Sequence, residues 1–132
     1  MKIENIKPVD LEIKGVYTPA KKIDFGDYSM IYVSGIQPPM GEDKRVVTDD
    51  IAEQTLLVFE DINNILKLAG ASLDNVIKAV IYLTDMNDFS IVSPIRAEYF
   101  KNSMPVSTMV EVNKLTREGA KIEIEVTALL EK

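Results

Sequence analysis

The sequence predicts an α+β fold in which helices form a layer over one β-sheet. Three observations support this prediction. Apolar residues recur at helical spacing from Ile51 to Ala69, an apolar run rich in β-branched residues spans Val76–Leu83, and apolar and polar residues alternate through Val106–Ala128. The chain of 132 residues has the length of one common domain, so we expect residues 1–132 to form a single one.

The N-terminal third is predicted to hold strands and one loop. Residues 1–16 show little pattern, and we interpret them as a short edge strand or an ordered arm. Lys22–Phe25 and Tyr28–Ser34 are predicted strands, because the Gly-Asp pair between them is a hairpin signal. The second strand ends at Gly35, and a loop follows to about Arg45. Loops at strand ends commonly carry functional sites, although this one can also be a plain connection.

A long core helix is predicted after this loop. Thr48 or Asp49 can cap its N-terminus, where a side-chain oxygen accepts a hydrogen bond from a free backbone N–H group. Gly70 follows the last apolar position and is a typical helix stop. We expect the apolar stripe of this helix to pack on the sheet rather than to form a groove for a partner.

A strand and a second helix are predicted next. Val76–Leu83 is nearly all apolar and too short for a long helix, so it is expected to be a central strand of the sheet. Asn87 or Asp88 can cap a helix that runs through Phe100. Pro94 fits only the first turn of that helix or an early kink, because proline lacks the N–H group that the helix interior needs.

The stretch Val106–Ala128 is predicted to form two antiparallel strands joined by a turn. Successive strand side chains point to opposite faces, so each strand has one more polar side. These sides carry Ser107, Met109 and Glu111 on the first strand, and Glu123, Glu125 and Thr127 on the second. A row of carboxylates beside small residues can line a site. It can equally be a solvated sheet face, and the strand pattern alone favours that reading.

Composition narrows the chemistry that is available. The net charge of −6, with lysine and arginine scattered singly, supplies no basic stripe for nucleic acid. Because the chain has no cysteine and no histidine, thiolates, disulfides and imidazole are excluded from any site. The groups left for binding or catalysis are carboxylates, hydroxyls, backbone groups and water. With no basic start followed by an apolar run and no span that could cross a membrane, we expect a cytoplasmic protein.

Six short segments, in their order and spacing, together resemble a known family: Gly15-Val16-Tyr17, Val33-Ser34-Gly35, Asn75–Lys78, Asp85–Phe89, Pro105–Val112 and Lys121–Ala128. The chain resembles the reactive intermediate deaminase family, known as RidA or YjgF. The resemblance implies a chorismate-mutase-like α+β domain, with a mixed sheet covered on one face by two helices, and a homotrimer with a small-molecule ligand in each intersubunit cleft. Deaminases of this family hydrolyse enamine and imine products of amino-acid dehydratases to 2-oxo acids and ammonia, without metal or cofactor.

The resemblance also implies roles for individual residues. Glu123, the first glutamate of the EIE run, would position the attacking water, and Tyr17, Ser34 and Gly35 would complete the cleft around the substrate. Each has an ordinary alternative. Tyr17 can be a simple turn aromatic, Ser34 can satisfy backbone groups at a strand end, and Glu123 can be a solvated strand carboxylate.

Two positions depart from the family pattern. Ser107 stands where the family has an arginine that grips the substrate carboxylate, and Met109 stands where many members have a cysteine; both are expected to line the cleft. A serine offers one neutral donor in place of a charged fork, which weakens binding of an anion by roughly ten- to a hundredfold. Of the remaining arginines, Arg45, Arg96 and Arg117, we expect Arg45 to be the best placed to substitute, because it ends the loop after Ser34.

The departure leaves two functional hypotheses. In the first, the chain is an imine and enamine deaminase, and Glu123 orients the water. In the second, it is a non-catalytic small-molecule-binding or regulatory trimer, in which the lost arginine marks lost chemistry.

Overall fold

The computed structural model describes residues 1–9, 11 and 15–132, and residues 10 and 12–14 of the predicted N-terminal arm lie outside this range. The described residues contain one six-stranded mixed sheet and two α-helices, which confirms the predicted fold class. The strands are β1 (Lys2–Ile6), β2 (Ala20–Asp24), β3 (Tyr28–Ile36), β4 (Val76–Leu83), β5 (Val106–Glu111) and β6 (Ile122–Glu131). The helices are α1 (Ile51–Leu68) and α2 (Phe89–Phe100).

The sheet has the strand order β1-β2-β3-β6-β4-β5. The prediction that the last two strands form a hairpin is therefore wrong, since β4 lies between them, parallel to β5 and antiparallel to β6. Helix α2 crosses over from β4 to β5, and such a crossover makes the two strands parallel. Strand β6 then enters between β3 and β4, where it forms backbone hydrogen bonds along both of its edges. The expected central strand β4 is flanked on both sides but lies second from the edge.

The two faces of the sheet differ because side chains alternate along each strand. On β6, the apolar positions from Ile122 to Ala128 are buried in the core cluster, whereas Glu123 and Glu125 point to the other face. Both helices contribute to the same core cluster, through residues such as Phe59 and Val92. The helices therefore cover one face, as expected, and the second face, which we call the open face, is covered by no element of the described chain.

The helix ends agree with the predicted positions to within a few residues. Asp50 caps α1, since its side chain accepts hydrogen bonds from the backbone N–H groups of Ala52 and Glu53. The prediction of Thr48 or Asp49 as the cap is wrong because the helix begins at Ile51, one to two residues beyond where those side chains would act. Among the described residues, neither helix has both the length and the apolar character needed to span a membrane.

A buried glutamine connects α1 to the loop that precedes β6. Gln54 is fully buried, and its Nε2 donates to the carbonyl oxygens of Thr48 at 2.8 Å and Gly119 at 2.9 Å. Its Oε1 accepts from the backbone N–H of Lys121 at 2.8 Å. This side chain therefore satisfies backbone groups of two loops at once and fixes the 113–120 loop against the helix.

We expect Gln54→Ala to lower the free energy of unfolding by at least about 1–3 kcal/mol, the cost of one buried polar group left without a partner. Chemical denaturation at one fixed protein concentration measures this change. Glu60→Ala, on the exposed side of the same helix, is the control and should change the free energy by less than about 0.5 kcal/mol. Equal effects of the two substitutions would contradict the assigned role of Gln54.

Candidate functional site

A cavity of about 260 Å³ opens beside the end of β3. Its volume lies just below the roughly 300–1,000 Å³ of ordinary ligand pockets, which suits a small ligand. The wall combines the N-terminal segment, the end of β3, one side of α1 and the loop before β6. The residues on it are Pro8, Leu11, Tyr17, Pro19, Ser34, Gly35, Ile36, Gln37, Pro39, Asp61, Asn64, Ile65, Thr116 and Arg117. Of the residues predicted from sequence, Tyr17, Ser34 and Gly35 thus lie together.

An irregularity in β3 shapes this wall. The register of β3 against β6 shifts between Val33 and Ile36, and such bulges re-aim the side chains next to them. Within the bulge, the backbone N–H of Ser34 donates to the carbonyl of Pro19, and its Oγ donates to the carbonyl of Thr18, both at 2.8 Å. The Ser34 hydroxyl proton is therefore used inside the protein, and its oxygen is left as an acceptor.

Glu123 lies directly against Gly35. A Cβ atom added to Gly35 would come within 2.6 Å of Oε2 and 2.7 Å of Cδ of Glu123. Only glycine allows this approach, and the need here is space, since the φ angle of Gly35 is outside the left-handed region. Glu123 is not on the cavity wall itself but lies behind Gly35, partly buried on the open face.

Gln37 connects Glu123 to the cavity. Its Nε2 donates to Glu123 Oε1 at 2.9 Å and to Thr116 Oγ1 at 2.7 Å, and its Oε1 accepts from the backbone N–H of Arg117 at 2.9 Å. The amide therefore fixes one carboxylate oxygen of Glu123 and also holds the 113–120 loop. Sequence reasoning missed Gln37; a polar residue two positions after the strand-ending glycine was the available signal.

The arginines are placed differently from the expectation. Arg45 does not line the cavity, because its guanidinium pairs with Glu118 at 3.4 Å on the outside of the loop. Arg117 is on the wall, and its Nη1 donates to the carbonyls of Gln37 at 3.3 Å and Pro38 at 2.9 Å. Among the described lining residues, the one arginine is thus Arg117, from the loop before β6.

Ser107 and Met109 lie away from the other predicted residues. Both side chains point to the helix-covered face of β5, where Met109 packs against the core and Ser107 is exposed, accepting a hydrogen bond from Arg96 Nη1 at 3.4 Å. Glu123 points to the opposite face, and β4 separates the two strands. One protomer alone therefore does not bring Ser107 and Glu123 together.

The second glutamate of the EIE run is already engaged. The hydroxyl of Tyr82 donates to Glu125 Oε1, and this hydrogen bond, with burial and the charges of Glu125 and Glu123, raises the pKa of Tyr82 to about 12. Tyr82 therefore stays a neutral donor over the physiological range. Of the two neighbouring carboxylates, Glu123 is the one held beside the cavity.

Comparison with known proteins gives consistent results. A family model described as Endoribonuclease L-PSP matches residues 10–130. A RutC family protein of Pyrococcus abyssi is 40% identical over 117 residues, covering 89% of this chain and 88% of the relative. A Homo sapiens protein named 2-iminobutanoate/2-iminopropanoate deaminase is 34% identical over 118 residues, covering 87% of this chain and 80% of the relative. The crystal structure of YyfA, a Rid family protein of Yersinia pestis, matches with a TM-score of 0.82 at 33% identity, covering 96% of this chain and 98% of that one.

The close approach of Gly35 and Glu123 can be tested by Gly35→Ala. We expect the added methyl group to displace the Glu123 carboxylate and break its contact with Gln37, because the clash is with a flexible side-chain end and not with backbone. A crystal structure of the variant measures the distance from Gln37 Nε2 to Glu123 Oε1. Gly41→Ala is the control and should leave this contact intact, because its new Cβ would lie 3.2 Å from Asp43 Oδ1 and at least 3.8 Å from Val47 and Arg45, and would not touch Glu123. An unchanged contact in Gly35→Ala would contradict the assignment.

Proposed function

This chain belongs to the RidA/YjgF family, and on that premise we propose that it hydrolyses small 2-imino acids to 2-oxo acids and ammonia, without a cofactor. The observation that carries the proposal is the Glu123 carboxylate, which Gln37 and Gly35 hold beside the cavity. The name of the human relative supplies the substrate class. The cavity volume of about 260 Å³ and the net charge of −6 favour a small molecule over RNA.

In the proposed reaction, Glu123 positions the attacking water. Its Oε1 is held by Gln37, and its Oε2 accepts no hydrogen bond from the described part of the chain, so Oε2 is the oxygen that would accept one from water. Water adds to C2 of the protonated imine, and Glu123 takes one proton from it. Glu123 returns that proton to the nitrogen of the resulting carbinolamine. It then takes the proton of the C2 hydroxyl as the C–N bond breaks, so that the C2 carbonyl forms and ammonia leaves, and this second proton passes to the ammonia, which departs as ammonium.

Two further residues would act on the substrate. Ser34 Oγ, whose proton is donated to the Thr18 carbonyl, can accept a hydrogen bond from the N–H of the imine. Tyr17 lies on the outer wall of the cavity and would cover the bound substrate. Both contacts hold the imine carbon near the water, which lowers the entropic part of the barrier.

The same premise supports a homotrimer with the ligand in clefts between protomers. Large apolar side chains stay exposed on the open face of the sheet, and an uncovered patch of this kind marks an interaction surface. They include Ile3, Tyr32, Val106 and Val110. The outer edge of β5 is also unpaired within the described chain and is therefore open to a neighbouring protomer. In such an assembly, Ser107 of one protomer could lie beside the cavity of the next, although it is far from the cavity of its own protomer.

A second candidate function is ligand binding without turnover. It is favoured by Ser107, where a neutral hydroxyl stands at the position that the family uses for a charged anchor. A protein of this type would still bind 2-oxo acids but would release no ammonia from 2-imino acids.

The catalytic proposal is tested by ammonia release from freshly generated 2-iminobutanoate. We expect the protein to exceed the uncatalysed rate, and Glu123→Gln to lower kcat/KM by about 10²- to 10⁴-fold, the usual contribution of a general base. Glu125→Gln removes the same charge from the same strand and should have a much smaller effect. Release at the uncatalysed rate, combined with measurable 2-oxobutanoate binding, would support the second candidate instead.

The trimer is tested by Tyr32→Glu. Tyr32 is 48% exposed at the centre of the open face, and a glutamate there would be stabilised by its neighbour Lys21 in a free protomer but not between packed protomers. We expect the wild type to have three times the 14.8 kDa mass of one chain, and the variant to dissociate on dilution, as measured by analytical ultracentrifugation. Leu56→Glu on the exposed side of α1 is the control. A monomeric wild type would overturn this part of the proposal.

A further inference from the structure

The charge of the cavity wall points to one residue that selects the ligand. Among the described lining residues, Arg117 is the only cationic side chain and Asp61 the only acidic one. We propose that Arg117 binds the carboxylate of the ligand, so that the cavity takes 2-imino and 2-oxo acids as anions and discriminates against their neutral amides. This inference rests on the proposed function for the substrate class and adds the residue that decides it.

The guanidinium is held in a fixed orientation by the backbone. Nη1 of Arg117 donates to the carbonyls of Gln37 and Pro38, which occupies that end of the group. Nε and Nη2 donate to no group in the described chain and form the other edge of the planar fork. That edge matches the geometry of a carboxylate, which it can bind with parallel hydrogen bonds.

Within the described part of the chain, Arg117 forms no ion pair of the kind that Arg45 forms. No carboxylate of the described residues lies within salt-bridge distance of Arg117, whereas Arg45 pairs with Glu118 and Asp49. The backbone carbonyls orient the Arg117 guanidinium without neutralising its charge. A partly buried cation of this kind is available to an anionic ligand.

An anion in this cavity needs such a cation. Glu123 lies just behind Gly35, and its carboxylate repels an anionic ligand. The positive charge of Arg117 offsets this repulsion. The side-chain amide of Gln37 contacts both residues, since it accepts a hydrogen bond from the backbone N–H of Arg117 and donates one to the Glu123 carboxylate. Gln37 therefore sets the position of the proposed anchor relative to the proposed base.

The test compares binding of 2-oxobutanoate with binding of its neutral amide, 2-oxobutanamide, by isothermal titration calorimetry. We expect Arg117→Gln to weaken binding of the acid by about ten- to a hundredfold, and to change binding of the amide by less than about threefold. Arg117→Lys keeps the charge without the fork and should recover part of the loss. Lys114→Gln removes an exposed charge from the same loop and is the matched control.

Several outcomes would overturn the inference. Equal losses for acid and amide would mean that Arg117 only supports the loop. A loss in Arg96→Gln in place of Arg117→Gln would place the anchor beside Ser107, and a wild type that binds neither ligand would exclude the anchor altogether. Turnover in the wild type with an unchanged KM in Arg117→Gln would leave the proposed function standing and the inference wrong. Binding of the acid through Arg117 without turnover would support the inference and contradict the proposed function.

Discussion

Strand β6 pairs along both of its edges, and this pairing determines where the core and the candidate site lie. Because β6 lies between β3 and β4, its apolar side chains from Ile122 to Ala128 enter the core under α1. The alternation of the strand then places Glu123 and Glu125 on the open face. A shift of one residue in register would exchange these two sets, so the hydrophobic core itself determines where the carboxylates lie.

The candidate site depends on a second constraint, the close approach of β6 to the bulge in β3. Gly35 leaves the space that the Glu123 carboxylate occupies, and Gln37 donates to that carboxylate from the next part of the chain. The same glutamine accepts from the backbone N–H of Arg117, so the proposed base and the proposed anchor residue contact one amide. Arg117 belongs to the 113–120 loop, and the buried Gln54 holds the end of that loop against α1. Core packing and site geometry are therefore connected through two glutamines.

The unequal faces of the sheet relate the fold to the proposed assembly. The helices cover one face, and the other has exposed aromatic and aliphatic side chains together with the hydrogen-bonded pair of Tyr82 and Glu125. Ser107 is on the far edge strand and faces the covered side, away from Glu123. The proposed cleft between protomers would allow both residues to contact one ligand.

Sequence periodicity was sufficient to predict the local elements. The apolar run predicted β4 at Val76–Leu83, the helical stripe predicted α1 nearly to its ends, and the alternation predicted two late strands. These features depend on neighbouring residues, so their periodicity is visible in the chain. Three features are visible only in the folded chain: β6 inserts between β3 and β4, Gln37 contacts Glu123, and Arg117 rather than Arg45 lines the cavity. The contacts of Gln37 with Glu123 and with Arg117 join segments that lie about 80 residues or more apart in the sequence. The position of β6 is a choice among several strand pairings that have a similar local pattern. Such choices depend on how much apolar surface the whole chain can bury, which no short segment specifies.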